Sequence, residues 1–98
     1  MKQLGDFDGF LWDKGNRDKN WIRHGVYLEE CEEAFFDPEK KIFSDALHSG
    51  IERRYILLAK TMQKRLLFIV FTIRGRKVRV VSARDLNKKE YHLYEKET

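Results

Sequence analysis

Arg65-Leu66-Leu67-Phe68-Ile69-Val70-Phe71-Thr72-Ile73-Arg74, followed after Gly75-Arg76 by Lys77-Val78-Arg79-Val80-Val81-Ser82-Ala83-Arg84, is the stretch that decides the fold. Both runs are rich in β-branched and aromatic residues, and the two-residue separator is hairpin length, so they read as paired antiparallel strands. Upstream, Arg53 to Lys60 reads as a third strand, joined through Thr61 to Lys64, and Lys41 to Ser44 as a short fourth. In the central run both alternating sets are apolar: Leu66, Phe68 and Val70 on one face, Leu67, Ile69 and Phe71 on the other. Such a strand is expected to be covered on both sides.

Helical patterns flank this meander. Residues 14 to 24 read as a polar helix presenting Trp21 and Ile22, with Gly25 at the usual C-terminal cap position. Residues 27 to 36 form a second, with Leu28, Cys31 and Phe35 at helical spacing and Pro38 to end it. A charged helix closes the chain at 87 to 97, where Asn87 and Glu90 fit a capping box. The expected fold class is α+β: two N-terminal helices packed on an antiparallel sheet of three to four strands, with a C-terminal helix. Its 98 residues suffice for one core, so residues 1–98 are read as a single domain.

The longest apolar stretch, Leu66 to Ile73, is far short of the roughly 20 residues of a membrane span, and Met1 to Asp6 carries no signal core. A soluble, cytoplasmic protein without membrane contact is expected. Cys31, the single cysteine, excludes a disulfide framework and is expected to pack as a small hydrophobe. No metal-ligand spacing is evident, so no cofactor or metal is expected. The net charge is +4, from 20 Lys and Arg against 16 Asp and Glu, and its distribution says more than its sum. Residues 29 to 39 hold six acidic side chains and no basic one, whereas 60 to 84 hold eight basic side chains and no acidic one. One part of the surface repels phosphate and another attracts it. The plainer reading is a solvated basic edge that blunts sheet pairing.

Several ordered groups resemble the BrnT family, ribonuclease toxins with a RelE-like fold. Trp12-Asp13, Asn20, His24-Gly25 and Glu30 match its helical half, and Asp45, His48-Ser49, Glu52, Arg54 and Tyr55 match the next loop and strand. Val70-Phe71-Thr72, Arg74, Arg79, Ser82-Ala83-Arg84, Glu90 and Tyr94 match the rest. Tyr27 departs from the pattern, standing where a small capping residue is usual, a loss of up to about 1 kcal/mol at the helix start. The resemblance implies an endoribonuclease toxin of a type II toxin–antitoxin system that cleaves RNA without metal and inhibits translation. It also implies a cognate BrnA-like antitoxin carrying a DNA-binding module, with operator DNA bound only through the complex.

Metal-free RNA cleavage needs a base for the 2′-hydroxyl proton, cations for the phosphate and an acid for the leaving 5′-oxygen. Arg54, Arg74, Arg79 and Arg84 are the strand-borne cations, suited by a planar fork that grips phosphate. Arg84 is favoured as the phosphate clamp. Strict alternation sets Arg79 on the opposite face from Arg84 unless a bulge intervenes. Lys64, Arg76 and Lys77 add candidate RNA contacts. For proton transfer the candidates are His48 in a polar loop, His24 at a helix end and Glu52, with a helix-terminus contact as the alternative for His24 and pairing with Arg53 and Arg54 for Glu52, while His92 reads as plain surface. Tyr91 or Tyr94 serves by stacking on a base or donating a proton, or else packs the last helix. A non-catalytic RNA-binding or regulatory domain using the same basic strands is the alternative function. A plain interaction module with an exposed sheet face is a third reading. In each case an incompletely covered apolar face calls for a second chain.

Overall fold

The computed structural model describes residues 8–13, 24–46 and 50–96. In chain order the elements are β1 (Gly9–Leu11), α1 (Leu28–Ala34), β2 (Lys41–Ser44), β3 (Tyr55–Lys60), β4 (Leu66–Arg74), β5 (Lys77–Asp85) and α2 (Lys88–Glu95). The strands form one sheet in the order β1-β5-β4-β3-β2. From β2 to β5 it is the antiparallel meander that the hairpin-length separators predict. Gly75 makes the β4–β5 turn with a φ of +62°, a left-handed value that glycine adopts without a Cβ penalty.

β1 is where the expected architecture is corrected. Gly9–Leu11 pairs in parallel with β5, Gly9 opposite Lys77 and Leu11 opposite Arg79, so the sheet has five strands and is mixed. It is not an antiparallel sheet of three to four strands, and among the described residues one N-terminal helix, not two, packs on it. Three residues carry no readable alternation, and this strand exists because the outer edge of β5 offers it backbone partners. The helix expected over 14–24 falls on residues 14–23, outside the described residues. Among the described residues α1 alone lies between β1 and β2.

α1 buries Cys31 and Ala34, and the following Phe35, against one face of the sheet. There they meet Leu57, Ile69, Phe71, Val78, Val80 and Ala83, all 1% exposed or less. Phe35 sets its edge on Phe71 with ring centres 4.9 Å apart, and Tyr55 stacks on Phe71 at 5.5 Å. Burial, then the charges of Glu30 and Glu32, push the Cys31 thiol up to about 12, so it packs as a small hydrophobe. The Tyr27 side chain gives α1 no cap. Instead Glu30 Oε1 accepts from the Tyr27 backbone N–H at 3.0 Å, and Arg65 fixes that carboxylate by donating to both its oxygens at 3.0 and 3.2 Å.

The central strand is covered unequally. Leu67, Ile69 and Phe71 are fully buried, whereas Leu66, Phe68 and Val70 keep partial exposure. α2 covers only part of that second face. It is capped as the sequence predicts, Asn87 Oδ1 accepting from Glu90 N at 2.9 Å and Glu90 Oε1 from Asn87 N at 3.0 Å. Glu90 reaches Arg84, and the Lys41 ammonium lies over the Tyr94 ring, so α2 sits above the row Lys41, Leu58, Phe68 and Arg84. The rest of this face belongs to the arginines.

Candidate phosphate-binding face

A β-bulge decides which side chains share this face. Val70 pairs with Ser82 and Phe71 with Val80, leaving Val81 as the extra residue of β5. The extra residue resets the alternation, so Val78, Val80 and Ala83 enter the core while Arg79, Ser82 and Arg84 all lie on the second face. Sharing a face does not make one site of the two arginines. Four strand steps, about 13 Å, separate them.

Around Arg79 the structure gathers a compact charged group. Thr72 is its partner across the β4–β5 ladder, and Tyr55 opposite Phe71 brings Arg54, the next residue along, to the other side of Thr72. Arg74 lies two residues further on β4 and grips Glu52 through Nε and Nη2 at 2.7 and 3.2 Å. Asp13, just beyond β1, approaches Arg79 at 3.8 Å. The hydrogen bond from Arg74 holds the Glu52 carboxyl below its ordinary range against the opposing effect of burial, and the charges of Arg74, Arg79 and Arg54 lower it further. One guanidinium thus grips the ionised Glu52 carboxylate, which also lies within the field of Arg79 and Arg54. Arg76, paired with Asp8 at 3.0 Å, and exposed Lys77 flank the group on the β4–β5 turn.

The other candidates stand apart. Arg84 donates to both Glu90 oxygens at 2.9 and 2.7 Å and to the Asp85 carbonyl at 3.1 Å, with its guanidinium 4.0 Å from the Phe68 ring centre. This geometry ties α2 to the sheet. Arg84→Ala is therefore expected to lower stability by about 1 kcal/mol, since the pair is partly exposed. Equilibrium unfolding checks this, and a variant as stable as wild type would contradict it. Tyr91 is exposed on α2, its hydroxyl pushed up by a hydrogen bond to Glu95 and that residue's charge. At the opposite end of the sheet lie Lys64, in the β3–β4 turn, and His24. The His24 carbonyl accepts from Arg65 at 3.3 Å, and the same Arg65 holds Asp85 at 2.7 and 3.1 Å and the Gly25 carbonyl at 2.9 Å. His48 lies outside the described residues.

Sequence reasoning assigned no role to Asp13 or Thr72. Both stand in the groups that resemble the family, but Asp13 follows a strand too short to detect, and by pattern Thr72 is one polar residue in an apolar run. Among the described residues no three His, Cys, Asp or Glu side chains are placed to hold a metal ion, and no helix is long and apolar enough to cross a membrane.

No match is found among curated proteins. The sequence profile described as the ribonuclease toxin BrnT of type II toxin–antitoxin systems matches residues 12–90, a span that contains Asp13, Glu52, Arg54, Arg74 and Arg79. With most of its length matched, the chain belongs to the BrnT family of ribonuclease toxins.

Proposed function

We propose that this chain is a metal-independent endoribonuclease toxin acting in the cytoplasm, inhibiting translation by cutting RNA at the face formed by Glu52, Arg54, Arg74 and Arg79. The observation that carries this reading is the Glu52 carboxylate gripped by Arg74 at one end of the sheet, with Arg79 and Arg54 near enough for their charges to act on it. In the reaction a base takes the ribose 2′-hydroxyl proton, O2′ bonds to phosphorus, the bond to O5′ breaks, and an acid returns a proton to the 5′-oxygen. A 2′,3′-cyclic phosphate and a 5′-hydroxyl result. Arg79 and Arg54 bind the phosphate as it gains negative charge. Arg74 is shared between that phosphate and Glu52. As Arg74 turns to the phosphate, Glu52 loses the bond that most depresses its pKa and becomes a stronger base. His48, four residues earlier in the β2–β3 connection, is assigned the acid.

A BrnA-like protein antitoxin is the proposed partner, meeting operator DNA through its own DNA-binding module. Partly exposed Phe68 and Val70 beside the arginines favour a partner presenting both apolar and acidic side chains. Such a chain inhibits by occupying the phosphate site.

The test is RNA cleavage in excess chelator, which is expected to proceed at the full rate. Activity lost to chelator and restored by a divalent ion would overturn the metal-free mechanism. In the same assay Glu52→Gln is expected to slow cleavage by about 10²–10⁴-fold with RNA affinity retained. Salt-sensitive RNA binding without any scission would instead support the non-catalytic alternative.

A further inference from the structure

We propose that Thr72 supplies a buried hydrogen-bond donor to the RNA backbone, its hydroxyl reserved for a phosphate oxygen bound among Arg54, Arg74 and Arg79. The inference rests on that arginine face being the RNA site. Thr72 is 1% exposed, and its Oγ1 has no hydrogen-bond partner among the described residues. It is the one buried side-chain polar atom left so among them. A valine there would fill nearly the same space without leaving a hydroxyl unsatisfied. The fold by itself therefore gains nothing from the oxygen.

Its surroundings say what the hydroxyl lacks. Arg79 lies across the ladder on one side, Arg54 continues the β3 register on the other, and Arg74 follows two residues along the strand on the same face. All three side chains are donors without acceptor capacity, so they cannot take the hydroxyl proton. The Glu52 carboxylate, which could accept it, is engaged by Arg74. An anion entering this group brings the missing acceptor to a place where positive charge already favours it. The proposal has the Glu52–Arg74 and Asp13–Arg79 pairs part to admit the anion. Both are partly solvent-exposed, and the second is loose at 3.8 Å, so each yields at low cost. The phosphate then gains a donor from below as well as from its sides, which fixes its orientation for in-line attack.

The probe is a 2′-O-methylated RNA oligonucleotide, which binds without being cut. Thr72→Val is expected to raise the melting temperature of the free protein and to weaken oligonucleotide binding about tenfold, the worth of one hydrogen bond to a charged group. Thr72→Ser, which keeps the hydroxyl, is expected to bind within about twofold of wild type. A Thr72→Val protein that melts below wild type would show that the hydroxyl serves the fold and overturn the proposal, as would unchanged affinity. Arg74→Ala and Arg79→Ala separate the two levels. If both weaken binding and Thr72→Val does not, the hydroxyl alone is wrongly assigned. Should neither arginine matter, the RNA site lies elsewhere and both proposals fall.

Discussion

Arg79→Ala is expected to lower RNA cleavage by about 10²–10³-fold while leaving the fold in place, the scale seen when one preorganised donor to a developing oxyanion is removed. Arg79 is the third residue of β5, its side chain partly buried at 26% exposure, with a strand on each side of it to hold its backbone. Its ion pair with Asp13 is long and that partner is mostly exposed, so losing the pair costs less than about 1 kcal/mol. Function and stability therefore separate at this position. Lysine should restore the charge without the activity, because an ammonium cannot grip two phosphate oxygens with a planar fork. Single-turnover cleavage beside a thermal melt decides the matter. A folded Arg79→Ala protein cutting RNA at the wild-type rate would remove Arg79 from the mechanism.

That this arginine shares a face with Arg84 was not readable from alternation, and the reason is physical. Alternation is a local rule, valid while each residue has one partner across the ladder. The extra residue at Val81 is a property of two strands accommodating each other's twist. β1 escaped for a related reason, since its parallel pairing is with a strand almost seventy positions away. By contrast β2 to β5 and the Asn87–Glu90 cap followed from residues a few positions apart, and their boundaries moved by two residues at most. The site shows the same division. The arginines and Glu52 were visible as residue types, but the flanking Arg53 and Arg54 suggested the wrong partner for Glu52, which is Arg74 on the next strand. Nothing in the spacing distinguished Arg65 or Arg84, which tie elements together, from Arg79. The difference lies in which carboxylates the fold brings to each: Glu30 and Asp85 to Arg65, and Glu90 to Arg84.

The largest loss of stability is expected at Asp37, a carboxylate the acidic run 29–39 gave no reason to single out. Asp37 is 6% exposed and accepts three hydrogen bonds, from the backbone N–H of Glu39 at 2.9 Å, of Lys60 at 2.8 Å, and from the Tyr94 hydroxyl at 2.7 Å. It thereby joins the exit of α1, the end of β3 and the last turn of α2. Asp37→Ala strands these donors together and is expected to cost about 3–5 kcal/mol, a large share of the roughly 5–15 kcal/mol that holds a domain folded. Burial pushes the Asp37 carboxyl up, but the bonds from Glu39, Tyr94 and Lys60 outweigh it and hold it below the ordinary value. Folding thus favours the ionised form. Its contribution is complete above the unfolded-state value near pH 4 and is lost as pH falls through the lower folded-state value. Burial and the bond to Asp37 push the Tyr94 hydroxyl the other way, so its share holds until pH rises past the ordinary tyrosine value near 10. Denaturant unfolding of wild type and Asp37→Asn at pH 7 and pH 3 reads out the acid limb. Wild type should lose more stability than the variant over that interval, because the amide has no proton to gain. Parallel losses in the two proteins, or an Asp37→Ala chain within about 1 kcal/mol of wild type at pH 7, would show that α2 is held by Arg84 and Glu90 without this anchor.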